Sequence, residues 1–195
     1  MKKSMILLLA FILSFQTANA QRIESFTLKD ILTGKEFELS SFSDKKAVVI
    51  IFSNMNCPFS KLYEERIAQL SDTFSREGFQ FAMVNPHFEA EEGESKNDHE
   101  ERVKSRGFKF PVLDDSDQVV TRMLAASKLP EVVVVTPSQT GFSIAYKGAI
   151  DNNPQVAANA NVRYLENALN AIMNRRNPSP SSSRAVGCNI RLKSR

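Results

Sequence analysis

Tryptophan is absent from this chain, and histidine and cysteine occur twice each. Two cysteines cannot staple a disulfide scaffold. They are too few for a zinc site made of four cysteines, and too far apart for one made of two cysteines and two histidines. Charge of one sign is also scarce. Against 22 acidic residues stand 25 basic ones, a net +3, with no basic stripe interleaved with aromatics, so no nucleic-acid partner is expected. No heptad or long fixed period recurs, which excludes coiled-coil, collagen and repeat architectures. What remains is 195 residues, 42% apolar and 24% charged, the profile of one globular domain.

The one long apolar run opens the chain. Lys2 and Lys3 precede the apolar stretch Met5 to Phe15, and Ala18-Asn19-Ala20 forms a small-residue cleavage site, so residues 1–20 read as a signal peptide. The alternative is an anchor that is never cut, but the run is short for a bilayer span. No cysteine follows the cleavage site to carry a lipid. After cleavage the chain begins at Gln21, loses two of its three net positive charges and has no stable membrane insertion. Export, to a periplasm or beyond the cell, would place Cys57 and Cys188 where disulfides persist.

The body alternates strands and helices, with residues 21–175 as one domain. Ile23 to Leu28 and Glu36 to Leu39 read as short strands around a Thr33-Gly34 turn. Ala47 to Phe52 is a continuous β-branched run, as for a strand buried on both faces. A helix is expected from Pro58 to about Glu77, with Tyr63, Ile67, Leu70 and Phe74 on one face and Gly78 as its stop. Further strands are expected at Phe79–Asn85, Phe110–Leu113, Glu131–Thr136 and Phe142–Tyr146, with a turn over Pro137–Gly141. Helices are expected at Asn97–Arg106 and Val119–Ala126, and a last one carries Val162, Leu165, Leu169 and Ile172. Residues 176–195 then change composition to a Pro- and Ser-rich flexible tail carrying Cys188. The sum is an α/β layout with a mixed sheet.

The chemistry concentrates at Cys57, which sits where a strand's carboxyl end meets a helix start. Unpaired backbone N–H groups and the helix dipole there favour the thiolate, and Lys61 adds positive charge in the first turn. Pro58 suits the first helical position, Asn56 closes the preceding turn, and the Ser60 hydroxyl is within reach of the sulfur. The plain alternative is that Cys57 is a small buried hydrophobe.

These residues carry a resemblance. Phe52-Ser53-Asn54-Met55-Asn56-Cys57-Pro58, Phe110-Pro111-Val112-Leu113-Asp114, Leu129-Pro130-Glu131-Val132 and Tyr146-Lys147-Gly148-Ala149-Ile150-Asp151 together resemble the thioredoxin-fold redoxins of the AhpC/TSA and TlpA-like superfamily. The tail Gly187-Cys188-Asn189-Ile190-Arg191 resembles the Gly-Cys-x-Ile ending of an exported subgroup. The resemblance implies a thioredoxin-like three-layer fold: a mixed central sheet flanked by helices, an N-terminal β-hairpin and an inserted βα unit. It also implies a cis-proline at Pro130, beside Cys57, that shapes the groove where a partner's disulfide or peptide lies.

Two departures bear on the chemistry. Ser60 stands where a C-x-x-C pair has its second cysteine, so no local dithiol cycle exists. Asn54 stands where peroxiredoxins carry Thr or Ser, and Ile50 where they carry Pro. Cys188 offers another resolving thiol, because the fourteen residues from Asn174 span about 45 Å when extended. A Cys57–Cys188 bond would be a catalytic switch or a permanent staple, and the remaining alternative leaves Cys188 unpaired or joined to another chain.

The other polar signals read as structural. His87 and His99 have no spacing that joins them to Cys57 as a metal set, so neither a copper-chaperone role nor any metal or cofactor is expected. Glu89, Glu91, Glu92 and Glu94 read as a solvated acidic loop. The leading expectation is an exported thiol–disulfide oxidoreductase acting on protein thiols or disulfides, with an external thiol reductant. A thiol peroxidase using the same cysteines is the near variant. A non-catalytic peptide-binding module, in which Cys57 is dispensable, is the contrasting one.

Overall fold

The computed structural model describes residues 22–90 and 93–194. The expected signal peptide, and Glu91 and Glu92 of the acidic run, lie outside the described residues. Among the described residues ten strands form: β1 (Arg22–Ile23), β2 (Thr27–Asp30), β3 (Glu36–Glu38), β4 (Ala47–Phe52), β5 (Phe79–Asn85), β6 (Val112–Asp114), β7 (Lys128–Leu129), β8 (Glu131–Ser138), β9 (Gly141–Gly148) and β10 (Cys188–Asn189). Four α-helices accompany them: α1 (Pro58–Ser75), α2 (Lys96–Arg106), α3 (Val119–Met123) and α4 (Tyr164–Met173). Eight strands make one mixed sheet in the order β1-β9-β8-β4-β5-β6-β2-β3, and β10 pairs with β7 in a separate ribbon.

Strand β4 is the spine of the sheet. It runs parallel to β5 and antiparallel to β8, and all six of its side chains are fully buried. Alternation sends Ala47, Val49 and Ile51 to one apolar cluster and Val48, Ile50 and Phe52 to the other. Helices α1 and α4 cover the first cluster with Tyr63, Ile67, Phe74, Leu165 and Leu169. Helix α3 and the chain after it cover the second with Val120, Leu124, Ala126 and Leu129. Two dry faces on one strand explain why its sequence is an unbroken apolar run.

Several boundaries differ from those expected. The single strand expected over Ile23–Leu28 divides: β1 pairs with β9 and β2 with β3 and β6, near opposite edges of the sheet. A flat sheet would hold β1 and β2 about 29 Å apart. Ile23 and Thr27 are joined by four peptide units, a span of at most about 15 Å. The sheet must therefore curl until its edges approach. The β8–β9 hairpin also runs further than expected, through Ser138 opposite Gly141, which leaves a two-residue turn where a five-residue one was anticipated. Helix α3 stops at Met123, before the expected Ala126, because Ala125 takes a left-handed φ of 50°.

The Pro- and Ser-rich segment does not hang free of the domain. Lys147 N donates to Ser181 O (3.1 Å) and Ser183 N to Lys147 O (3.0 Å), so the tail runs along β9. The Ser183 hydroxyl meets Tyr146 Oη at 2.6 Å and accepts from Ala149 N at 3.0 Å. Gly148 permits this approach, since a Cβ there would stand 2.2 Å from Ser183 O. The tail then crosses to β7.

Candidate functional site

Cys57 is the N-cap of α1, with Pro58 in the first helical position. Its own N–H donates to Asn54 Oδ1 at 2.9 Å, and its carbonyl accepts the first helical bond from Lys61 N. Strand β4 delivers the turn to the sheet's carboxyl end, and Pro58 starts the helix where its missing N–H costs nothing. The sulfur is 2% exposed and joined to Cys188, with Cα atoms 6.0 Å apart across 131 residues of sequence. Cys188 is half-buried, so a thiol arriving from solvent meets it first.

The opposite wall is the segment Ser127 to Glu131. The Leu129–Pro130 peptide is cis, and Leu129 O lies 3.0 Å from Cys57 Sγ. Glu131 fixes this segment from within, accepting from Ser127 N at 2.7 Å and Lys128 N at 3.2 Å through Oε2. Strand β10 pairs antiparallel with β7, Cys188 opposite Leu129 and Asn189 opposite Lys128. Gly187 makes this docking possible. A Cβ on it would stand 2.1 Å from Leu129 O and 2.7 Å from Leu129 C. A shallow cleft of about 370 Å³ remains, lined by Asn54, Cys57, His87, Leu129, Cys188 and Arg191.

A buried polar network holds the turn from behind, and the sequence reading missed it. Glu94, fully buried, accepts from Met55 N at 2.7 Å and Asn56 N at 3.0 Å through Oε1. Its Oε2 accepts from Asn85 Nδ2 at 2.7 Å and meets His99 Nε2 at 3.1 Å. The acidic run is therefore not all solvated loop: Glu94 turns inward because two main-chain N–H groups at the site need an acceptor. His87 sits beside the disulfide. Asn54 Oδ1 accepts from Cys57 N, Asn54 Nδ2 lies 3.2 Å from His87 Nδ1, and His87 Nε2 lies 3.3 Å from both the carbonyl oxygen and the amide nitrogen of Arg191. Only the capping sequence Ser95…Asp98, which starts α2 and so aims His99, was a signal in the chain itself.

The expected site residues are not all brought together. Cys57, Cys188 and Pro130 meet, with Asn56 and Pro58 at the rim. Lys61 is exposed and lines a different cleft with Met55, Asp98 and Glu101, since the fourth helical position carries its side chain away from the sulfur. Ser60 Oγ is buried with no hydrogen-bond partner among the described residues. The anticipated bond to sulfur is not made, because Sγ faces Cys188 and Leu129 instead.

A curled mixed sheet, a cysteine at the head of the first long helix and a cis-proline across from it define a thioredoxin-fold redoxin, of thiol–disulfide oxidoreductase or peroxiredoxin type. The AhpC/TSA family profile matches residues 20–151, and the chain belongs to that family. No curated protein matches the sequence. Among solved structures, the chain is similar to a hypothetical protein from Sinorhizobium meliloti, with 24% identity, a TM-score of 0.80, and 92% of this chain and 97% of that one covered. It is similar also to the peroxidoxin BcpB from Mycobacterium tuberculosis (15% identity, TM-score 0.59, 80% and 97% covered). A third is a secreted M. tuberculosis disulfide oxidoreductase homologous to E. coli DsbE (19% identity, TM-score 0.50, 60% and 79% covered). These likenesses concern the fold.

Proposed function

We propose that the protein is an exported thiol–disulfide oxidoreductase in which Cys57 is the nucleophile and Cys188 the resolving cysteine. The observation that carries this reading is the Cys57–Cys188 bond itself, made beside cis-Pro130 by a tail that reaches the site from outside the domain. In the forward direction the Cys57 thiolate attacks a partner disulfide. A Cys57–partner bond forms and the partner's second sulfur leaves as a thiolate. The Cys188 thiolate then attacks Cys57 Sγ, closing the internal disulfide and releasing the partner's first sulfur. Two electrons pass from the protein's dithiol to the partner, and an external thiol reductant returns them. Placement at a helix N-terminus supports Cys57 as the attacking and the leaving group, since both roles need a stabilised thiolate. Export is supported by the N-terminal signal pattern and by the secreted oxidoreductase of like fold.

Disulfide exchange is favoured over peroxide reduction by Asn54. It stands where peroxiredoxins carry a Thr or Ser hydroxyl, and its oxygen accepts from Cys57 N while its amide lies against His87 Nδ1. The test is turnover of a glutathione mixed disulfide, and of peroxide, by the parent, Cys57→Ser and Cys188→Ser. Exchange should be lost in Cys57→Ser, and Cys188→Ser should accumulate an adduct on Cys57. Parent-like exchange by Cys57→Ser would refute the reading, and peroxide turnover in excess of exchange would replace it with the peroxidase.

A further inference from the structure

The tail does more at β7 than deliver a sulfur. Beyond Cys188, Ile190 N donates to Ser127 O at 3.0 Å, continuing the antiparallel pairing, and the Ile190 side chain, 9% exposed, enters the apolar cluster around Leu129. Next along the tail, Gln118 reads only main chain. Its Nε2 donates to Arg191 O at 2.8 Å, and its Oε1 accepts from Lys193 N at 2.7 Å. Gln118 is 1% exposed and takes a left-handed φ of 58°, unusual for a residue other than glycine. Asp115 holds it there, accepting from Val120 N, Thr121 N and the Thr121 hydroxyl, while Asp115 O accepts from Gln118 N at 2.7 Å. Apart from the Pro86 carbonyl (3.2 Å), the hydrogen bonds of this buried amide go to the tail. Such a clamp needs no particular side chain in its guest, only an extended strand.

From this we infer that the edge of Ser127–Leu129, the Ile190 pocket and Gln118 form a receptor for extended cysteine-bearing segments, filled in the oxidised chain by the protein's own tail. The inference rests on the proposed exchange chemistry and names its substrate class. A partner cysteine takes the place of Cys188 and pairs opposite Leu129 by strand addition. The residue before it must be small, since a Cβ at that place collides with Leu129 O. The residue two places after it is aliphatic and fills the Ile190 pocket. The residue five places after it cannot be proline, because its N–H is read by Gln118 Oε1. Reduction frees the tail from its covalent hold, and tail and partner then compete for one groove.

The test uses the full chain carrying Cys188→Ser and Ile190→Asp, whose own tail is neither bonded nor apolar. The probe is a labelled synthetic peptide of the 185–193 sequence with serine at the cysteine position, so that no exchange occurs. The peptide should bind at least tenfold more tightly than to the Cys188→Ser chain, whose intact tail competes. Adding Gln118→Met to the host, or aspartate at the isoleucine position of the peptide, should each weaken binding at least tenfold. On the host that keeps Gln118, hydrogen exchange should show Ser127 to Leu129 protected by the peptide and not by a scrambled one. Absence of saturable binding there, or binding indifferent to both changes, overturns the inference. Because the probe is redox-inert, intact exchange without peptide binding refutes the groove alone, and peptide binding without exchange refutes the chemistry alone.

Discussion

Replacing Gly187 with alanine isolates the energetic link between tail docking and the redox state of Cys57. In the oxidised chain the covalent bond to Cys57 holds Gly187 against the Leu129–Pro130 peptide, where the new Cβ would lie 2.1 Å from Leu129 O. Ordinary contact requires more than 3.4 Å, so the backbone on one side must shift by about an ångström, at the expense of the Cys188–Leu129 pairing. Overpacking of this kind costs about 1–3 kcal/mol. The oxidised form bears that cost in full, whereas the reduced form escapes it by releasing the tail. The internal disulfide therefore becomes easier to reduce, by about 20–65 mV for a two-electron couple. The assay is equilibrium titration in glutathione buffers, read by the mass added on thiol alkylation. A Gly187→Ala potential within a few millivolts of the parent would refute the reasoning, since it would mean that the tail does not hold this position in solution.

Two further outcomes follow from the same structure. Cys57 and Cys188 close a loop of 131 residues, so opening the bond with reductant should cost about 5 kcal/mol in the chain-entropy account and lower Tm by about 10–20 °C; calorimetry with and without dithiothreitol measures this, and an unchanged Tm would mean the bond is not formed in solution. Burial raises the phenols of Tyr63, which donates to Asp151, and of Tyr146, pushed up to about 12. Both favour the folded state while neutral, and that advantage is present below pH 10 and lost as pH climbs through the raised values. Phenolate absorbance should therefore rise cooperatively with unfolding above pH 10, and smooth titration of all three tyrosines in a folded chain would contradict it.

Those experiments probe contacts of very different legibility in the sequence. Strand β5 occupies the expected Phe79–Asn85, and α1 begins at Pro58, because each is set by local pattern: an apolar run after a glycine stop for one, a proline start and a 3.6-residue stripe for the other. Cys57 at the head of that helix needed only the order strand, turn, Cys-Pro. Glu94 was not legible. An acidic run followed by a helix reads as solvated surface, and its inward turn depends on Met55 N and Asn56 N, some forty residues back, lacking another acceptor. Gln118 was equally silent, since its partners Arg191 and Lys193 lie more than seventy residues away.

What the chain determined unaided is its succession of elements and the place of Cys57 among them, both consequences of near-neighbour sterics and hydrophobic period. Its tail composition pointed to a flexible linker. Tertiary structure alone decided that Ser181 and Ser183 fasten to Lys147, that Gly187 lies against Leu129, and that Ile190 enters the apolar cluster around Leu129. The reason is that strand pairing and burial join segments far apart in sequence, and the groups that satisfy one another there leave no periodic trace along the chain.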